Sequence, residues 1–163
     1  MLFVSVKSSK LKKYLIIAAV VLVATIGGII SVSKGAAAPA ANVGGISMTA
    51  DSRENRIAFF SQFGYEISDD PVEVKEVIIP TEFDETYEKY NALQKKQGLD
   101  LEKYKGRRVK AWSYEIKNYP GYENSDGIIR GNILVYDGKV IGGDICSVES
   151  DGFMTTFDGT QTL

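Results

Sequence analysis

No histidine occurs anywhere in the chain, and Cys146 is its only cysteine. The first absence removes Ser-His and Cys-His nucleophile pairs and most zinc sites; the second removes any intrachain disulfide, so packing must hold the fold. No catalytic residue, metal ligand set or cofactor motif is expected. Acid is missing from the start of the chain: residues 1–34 carry Lys7, Lys10, Lys12, Lys13 and Lys34 and neither Asp nor Glu. That leaves 14 basic residues against all 21 acidic ones in the remainder, a net charge of -7. Such a remainder repels phosphate backbones and shows no basic stripe to offset this, so nucleic acid is not an expected partner.

What the start does have is a long apolar run. Tyr14 to Val32 carries no charge and no polar face. As a helix it reaches about 28 Å, close to the hydrocarbon core of a bilayer. The lysines just before it place the N-terminus in the cytoplasm and the rest outside. The expected organisation is a basic cytoplasmic tail at 1–13, a transmembrane signal-anchor helix at 14–32 and a flexible Gly/Ala-rich linker at 33–50. An extracytoplasmic α+β domain at 51–154 and a disordered tail at 155–163 complete it. The competing reading is a cleaved signal peptide, with candidate sites in Ala36-Ala37-Ala38 and Ala38-Pro39-Ala40, and a domain released outside. Gly27 and Gly28 also allow the anchor helix to associate with a partner helix.

Within the domain, Asp51 and Glu54 have capping-box spacing, and Ile57, Phe60 and Phe63 give a helical stripe over about Ser52 to Phe63. Pro71 to Pro80 is a short strand whose apolar positions shift phase, as a bulge or an early end would make them. A second helix, capped by Thr81, carries Phe83, Tyr87, Tyr90 and Leu93 to Gly98, and Asp100 to Tyr104 is one more helical turn. Arg108 to Asn118 alternates, with Trp112, Tyr114 and Ile116 on one face. Ile128 to Tyr136 and Lys139 to Val148 flank Asp137-Gly138, a hairpin turn. Counting from a type I′ turn pairs Val135 with Val140, Ile133 with Gly142, Gly131 with Asp144 and Ile129 with Cys146, with that side as the core face. The expected fold is two helices packed on a three- to four-stranded antiparallel sheet.

Asp144 stands out as a carboxylate on an apolar face. Half-buried, it would have a raised pKa and could carry a proton; alternatively, a bulge at Gly142-Gly143 slips the register, turning Asp144 to water and Ile145 inward. Cys146 lacks any activating neighbour and is expected as a small core residue. Trp112, Tyr114, Tyr119 and Tyr122 lie around the loop NYPGYENSDG and could anchor a peptide or stack on a sugar, although such aromatics also serve as a packing layer between helix and sheet. The acids Asp69, Asp70, Glu73 and Glu76 lack calcium-loop spacing and are expected on a solvated face.

Several stretches together resemble a known family. They are RIAFFSQFGYEI (Arg56 to Ile67), VIIP (Val77 to Pro80), FDETYEKYNALQKKQGLDLEKYKG (Phe83 to Gly106), NYPG (Asn118 to Gly121), NILVYDGKVIGGDICS (Asn132 to Ser147) and DGFM (Asp151 to Met154). In this order they resemble domain-of-unknown-function family 4830, membrane-anchored or secreted proteins of Gram-positive anaerobes. The resemblance implies placement and boundaries and no activity. It fails at Thr155, where the family pattern commonly has a histidine. Two functional expectations follow. One is a tethered, non-enzymatic module binding a protein, peptide or envelope glycan through Trp112, Tyr114, Tyr119, Tyr122 and Asp144. The other is a carboxylate-based envelope hydrolase using Asp144 with Glu115 or Glu149.

Overall fold

The structure, a computed structural model, describes residues 45–123 and 125–163. The expected basic tail, the apolar segment 14–32 and most of the linker lie outside the described residues. Among the described residues no helix is long and apolar enough to cross a membrane.

The element order is α1 (Arg53–Ser61), β1 (Glu73–Ile78), α2 (Glu85–Lys96), a 3₁₀ turn (Leu101–Tyr104), β2 (Arg108–Glu115), β3 (Ile129–Tyr136), β4 (Lys139–Ser147) and β5 (Met154–Thr155). The strands form one antiparallel meander in the order β1-β2-β3-β4-β5. The α+β expectation holds with two helices, and the sheet has five strands rather than three or four.

Local chemistry sets the boundaries. Ser52, not Asp51, caps α1, its hydroxyl accepting from Asn55 N. Asp84, not Thr81, caps α2, accepting from Tyr87 N at 2.8 Å, while Lys95 and Lys96 face the negative end of the helix dipole. Each cap is the polar residue immediately before the first helical one. Asp137 and Gly138 both adopt positive φ, 48° and 71°, as a type I′ turn requires.

The register beyond that turn departs from simple counting. Val135 faces Val140 as expected, but Leu134 then faces Gly142, so Ile141 has no partner and β4 carries a bulge. Every later pair moves by one: Ile133 faces Gly143, Gly131 faces Ile145, Asn132 faces Asp144 and Arg130 faces Cys146. Ile145 is thereby turned into the core. In contrast, β1 pairs with β2 without interruption from Glu73 to Ile78. Its phase shift marks two faces of a regular strand: Val72, Val74 and Ile78 are exposed on one, while Val77 and Ile79 point to the other.

Both faces of the sheet are covered, which the single expected core face did not include. Phe59 and Phe60 of α1 pack with Tyr114, Ile129, Ile133, Val140 and Ile145. On the opposite face Tyr87 and Tyr90 of α2, with Leu101, cover Val109, Ala111, Leu134 and Ile141. The expected disordered tail is overturned, because β5 pairs with β4 and Phe157, 2% exposed, inserts between Phe59, Phe60 and Phe63.

Candidate functional site

Trp112 stands in the middle of β2, on the α1 side, between Val74 of β1 and Ile133 of β3. α1 roofs the β3 and β4 half of this face, and β1 is left open, with Val74 46% and Ile78 58% exposed. Where the roof ends there is a groove of about 410 Å³, lined by Asp51, Arg56, Glu76, Arg108, Lys110 and Trp112 and ending at the Asp137-Gly138 turn. Alternation along β2 puts Arg108, Lys110 and Trp112 on one face; the short α1 leaves Arg108 and Lys110 exposed, while Trp112 is half-buried beneath Arg56.

Arg56 is the unusual member of this groove. It is 8% exposed, its Nε donates to Tyr114 Oη at 2.8 Å, its Nη1 donates to Ala50 O at 3.3 Å, and its guanidinium lies 3.7 Å from the centre of the Trp112 ring. Among the described residues no carboxylate comes within ion-pair distance of it. Desolvating a cation costs several kcal/mol, and stacking on an indole returns about 2 kcal/mol. Among the described residues Arg56 makes these two hydrogen bonds, both to neutral acceptors. The neighbouring charges differ: Arg108 pairs with Glu76 at 3.2 Å, and Asp51 accepts from Asn55 Nδ2 at 2.7 Å. Lys110 is exposed and has no ion-pair partner among the described residues.

A second groove, of about 450 Å³, lies between α2 and the 3₁₀ turn, lined by Glu82, Phe83, Glu88, Asn91, Lys95 and Lys105. It is the larger, but its lysines already have partners: Lys95 pairs with Glu102 at 2.8 Å and Lys105 rests on the Phe83 ring. The Trp112 groove holds a buried cation with no ion-pair partner among the described residues, so it is the better candidate.

The other expected binding residues are dispersed. Tyr114 is fully buried, 0% exposed, its hydroxyl occupied by Arg56, so it is a core residue and not a contact for a ligand. Tyr119 and Tyr122 form a separate half-buried cluster with Tyr65 and Phe153, and Tyr122 donates to Glu149 Oε2 at 3.2 Å. Burial raises the Tyr119 hydroxyl pKa above its ordinary value. Arg56 and Lys110 went unnoticed in the sequence. The only signal for Arg56 was an arginine at the inner edge of an apolar helical stripe.

Asp144 lies beneath α2 and is 1% exposed; the register slip turned it away from the first core, but into a second one rather than to water. It belongs to a transverse row across four strands, Glu73 to Ser113 to Asn132 to Asp144, each facing the next. Ser113 Oγ donates to Asn132 Oδ1 at 2.6 Å, Asn132 Nδ2 donates to Asp144 Oδ2 at 2.9 Å, and Tyr90 Oη donates to Asp144 Oδ1 at 3.0 Å. Burial pushes the Asp144 carboxyl up to about 6, against these hydrogen bonds, which favour its charged form. Burial, with Asp144 beside it, also raises the Cys146 thiol, which stays protonated, and Cys146 is the small core residue expected. Glu115 accepts from Gly127 N and Glu149 from Ser147 Oγ; neither is among the hydrogen-bond partners of Asp144. Among the described residues no group of three His, Cys, Asp or Glu side chains could hold a metal ion.

A family model described as a domain of unknown function (DUF4830) matches residues 59–145. The match runs from Phe59 in α1 to Ile145 in β4, so it includes Trp112, Lys110 and Arg108 and stops short of β5. No curated protein and no solved structure matches the chain.

Proposed function

This chain belongs to the DUF4830 family, and from that premise we propose that its domain is a binding module for an extended polypeptide, tethered outside the membrane by residues 14–32. One observation carries the binding half of this reading: the sheet is roofed over β3 and β4 and open over β1. It therefore presents Trp112, Val74 and Ile78 beside a groove of about 410 Å³. Apolar side chains on an outermost strand suit a peptide laid across or along it, giving both contact area and unpaired backbone groups. The length and flanking lysines of the apolar run support the tether.

A displayed random-peptide library, panned on the full chain in detergent, tests the binding half. Enrichment of a consensus that Trp112→Ala abolishes supports it; no consensus, or one indifferent to Trp112→Ala, rejects it. Enrichment on envelope glycans instead would reassign the ligand. Intact mass from the membrane fraction tests the tether, since a chain lacking residues 1–38 or 1–40 would be a released domain.

A further inference from the structure

We propose that Arg56 is the seat for a carboxylate carried by the polypeptide that occupies the Trp112 groove, an inference that rests on the binding reading above. The side chain is more than nine-tenths buried, yet among the described residues its charge is met by a phenol oxygen, a backbone carbonyl and the face of an indole. Nη2 donates to no described residue, and Arg56 lines the groove, so the fork has a free edge where a ligand can arrive. A flat, singly charged carboxylate matches that fork with two parallel hydrogen bonds.

The surrounding charges select among anions. Three cations and three carboxylates line the groove, but Glu76 is held by Arg108 and Asp51 by Asn55, and Asp137 sits in the hairpin turn. A phosphate dianion would meet Asp51 and Asp137 with twice the repulsion a carboxylate feels. Lys110, exposed two residues from Trp112 on the same face and without an ion-pair partner among the described residues, gives the arriving acid a second, solvated attraction. Val74 and Ile78 are exposed on this face of β1, opposite Trp112 and Arg108 and four residues apart, so the fitting extended partner carries an acid two residues from an apolar side chain on either side.

Trp112 is the only tryptophan in the chain, so its fluorescence reports this site without labelling. The full chain in detergent is titrated with acetyl-Val-Ser-Asp-Ser-Val-amide, with its Asn isostere and with inorganic phosphate. The expected result is a saturable emission change with the Asp peptide binding about tenfold tighter than the Asn peptide, the difference a charged hydrogen bond makes. Added salt should weaken the Asp peptide and leave the Asn peptide unchanged. Arg56→Gln should erase the preference. Should that variant fail to fold, Lys110→Glu, an exposed change, must still weaken the Asp peptide and not the Asn peptide. Equal binding of both peptides overturns the carboxylate seat and leaves the binding module standing. Phosphate binding as tightly as the Asp peptide overturns the choice of a polypeptide acid, and no emission change with any probe overturns the seat altogether. The library experiment decides the wider reading separately.

Discussion

The two faces of the sheet are built by different means. On the α1 side the contacts are apolar and aromatic. Phe59, Phe60 and Phe157 meet edge to face, and Gly131 leaves room for Phe60, whose Cε1 lies 2.5 Å from where a side chain would begin. On the α2 side an apolar cluster around Leu101 and Leu134 adjoins the polar row from Glu73 to Asp144, and beside that row Lys75 and Glu73 form a mostly buried ion pair of 2.7 Å. The first face resists change of volume, and the second resists change of protonation and hydrogen bonding. A protein with no disulfide to fall back on thus has two kinds of core, and substitutions can tell them apart.

The largest effect is expected on the apolar face. Phe157→Ala removes a ring enclosed by three others, and should cost about 3–5 kcal/mol in urea unfolding. A cost below 1 kcal/mol would mean that the tail does not close this core. Next comes Asp144. The folded protein holds a proton there up to about pH 6, where an unfolded chain has released it by about pH 4. Raising the pH through this window therefore destabilises the fold by about 3 kcal/mol through this residue. Asp144→Asn should be the more stable protein above pH 6, and its advantage should vanish by about pH 4. Parallel stability curves across that range would refute the assignment.

Ser113→Ala comes third. It strips the Ser113 donor from Asn132 Oδ1 inside the row, and should cost about 1–3 kcal/mol in urea unfolding. The smallest change is expected where neither face is built. Ile78→Thr, on the open strand at 58% exposure, should move stability by no more than about 0.5 kcal/mol. A larger loss would reveal packing over β1.

These contrasts separate what was legible in the chain from what was not. Asp137-Gly138 announced the hairpin because positive φ at both turn positions is a local demand that few residue pairs meet. The alternation around Trp112 and the stripe of Ile57, Phe60 and Phe63 were legible for the same reason, since periodicity is written in neighbouring residues. The slip at Ile141 was foreseeable as an option from Gly142-Gly143, but its outcome depended on α2 lying over Asp144, a contact 54 residues away in sequence. Thr155, Thr156 and Phe157 looked like a tail because one aromatic among polar residues has no period. They are ordered by a strand edge and a cavity that only the folded sheet supplies. The burial of Arg56 was invisible, because an arginine in a helix looks the same whether its charge faces water or lies over an indole.

The outermost strand carries one further consequence. β1 is bracketed by Pro71 and Pro80, and Lys75 and Glu73 lie on its inward side. Another chain docking along it would gain at most a few rungs before a proline withheld its donor, and would have to accommodate a charged pair already locked in place. Copies crowded together therefore meet a short edge that cannot be zipped continuously into a fibril.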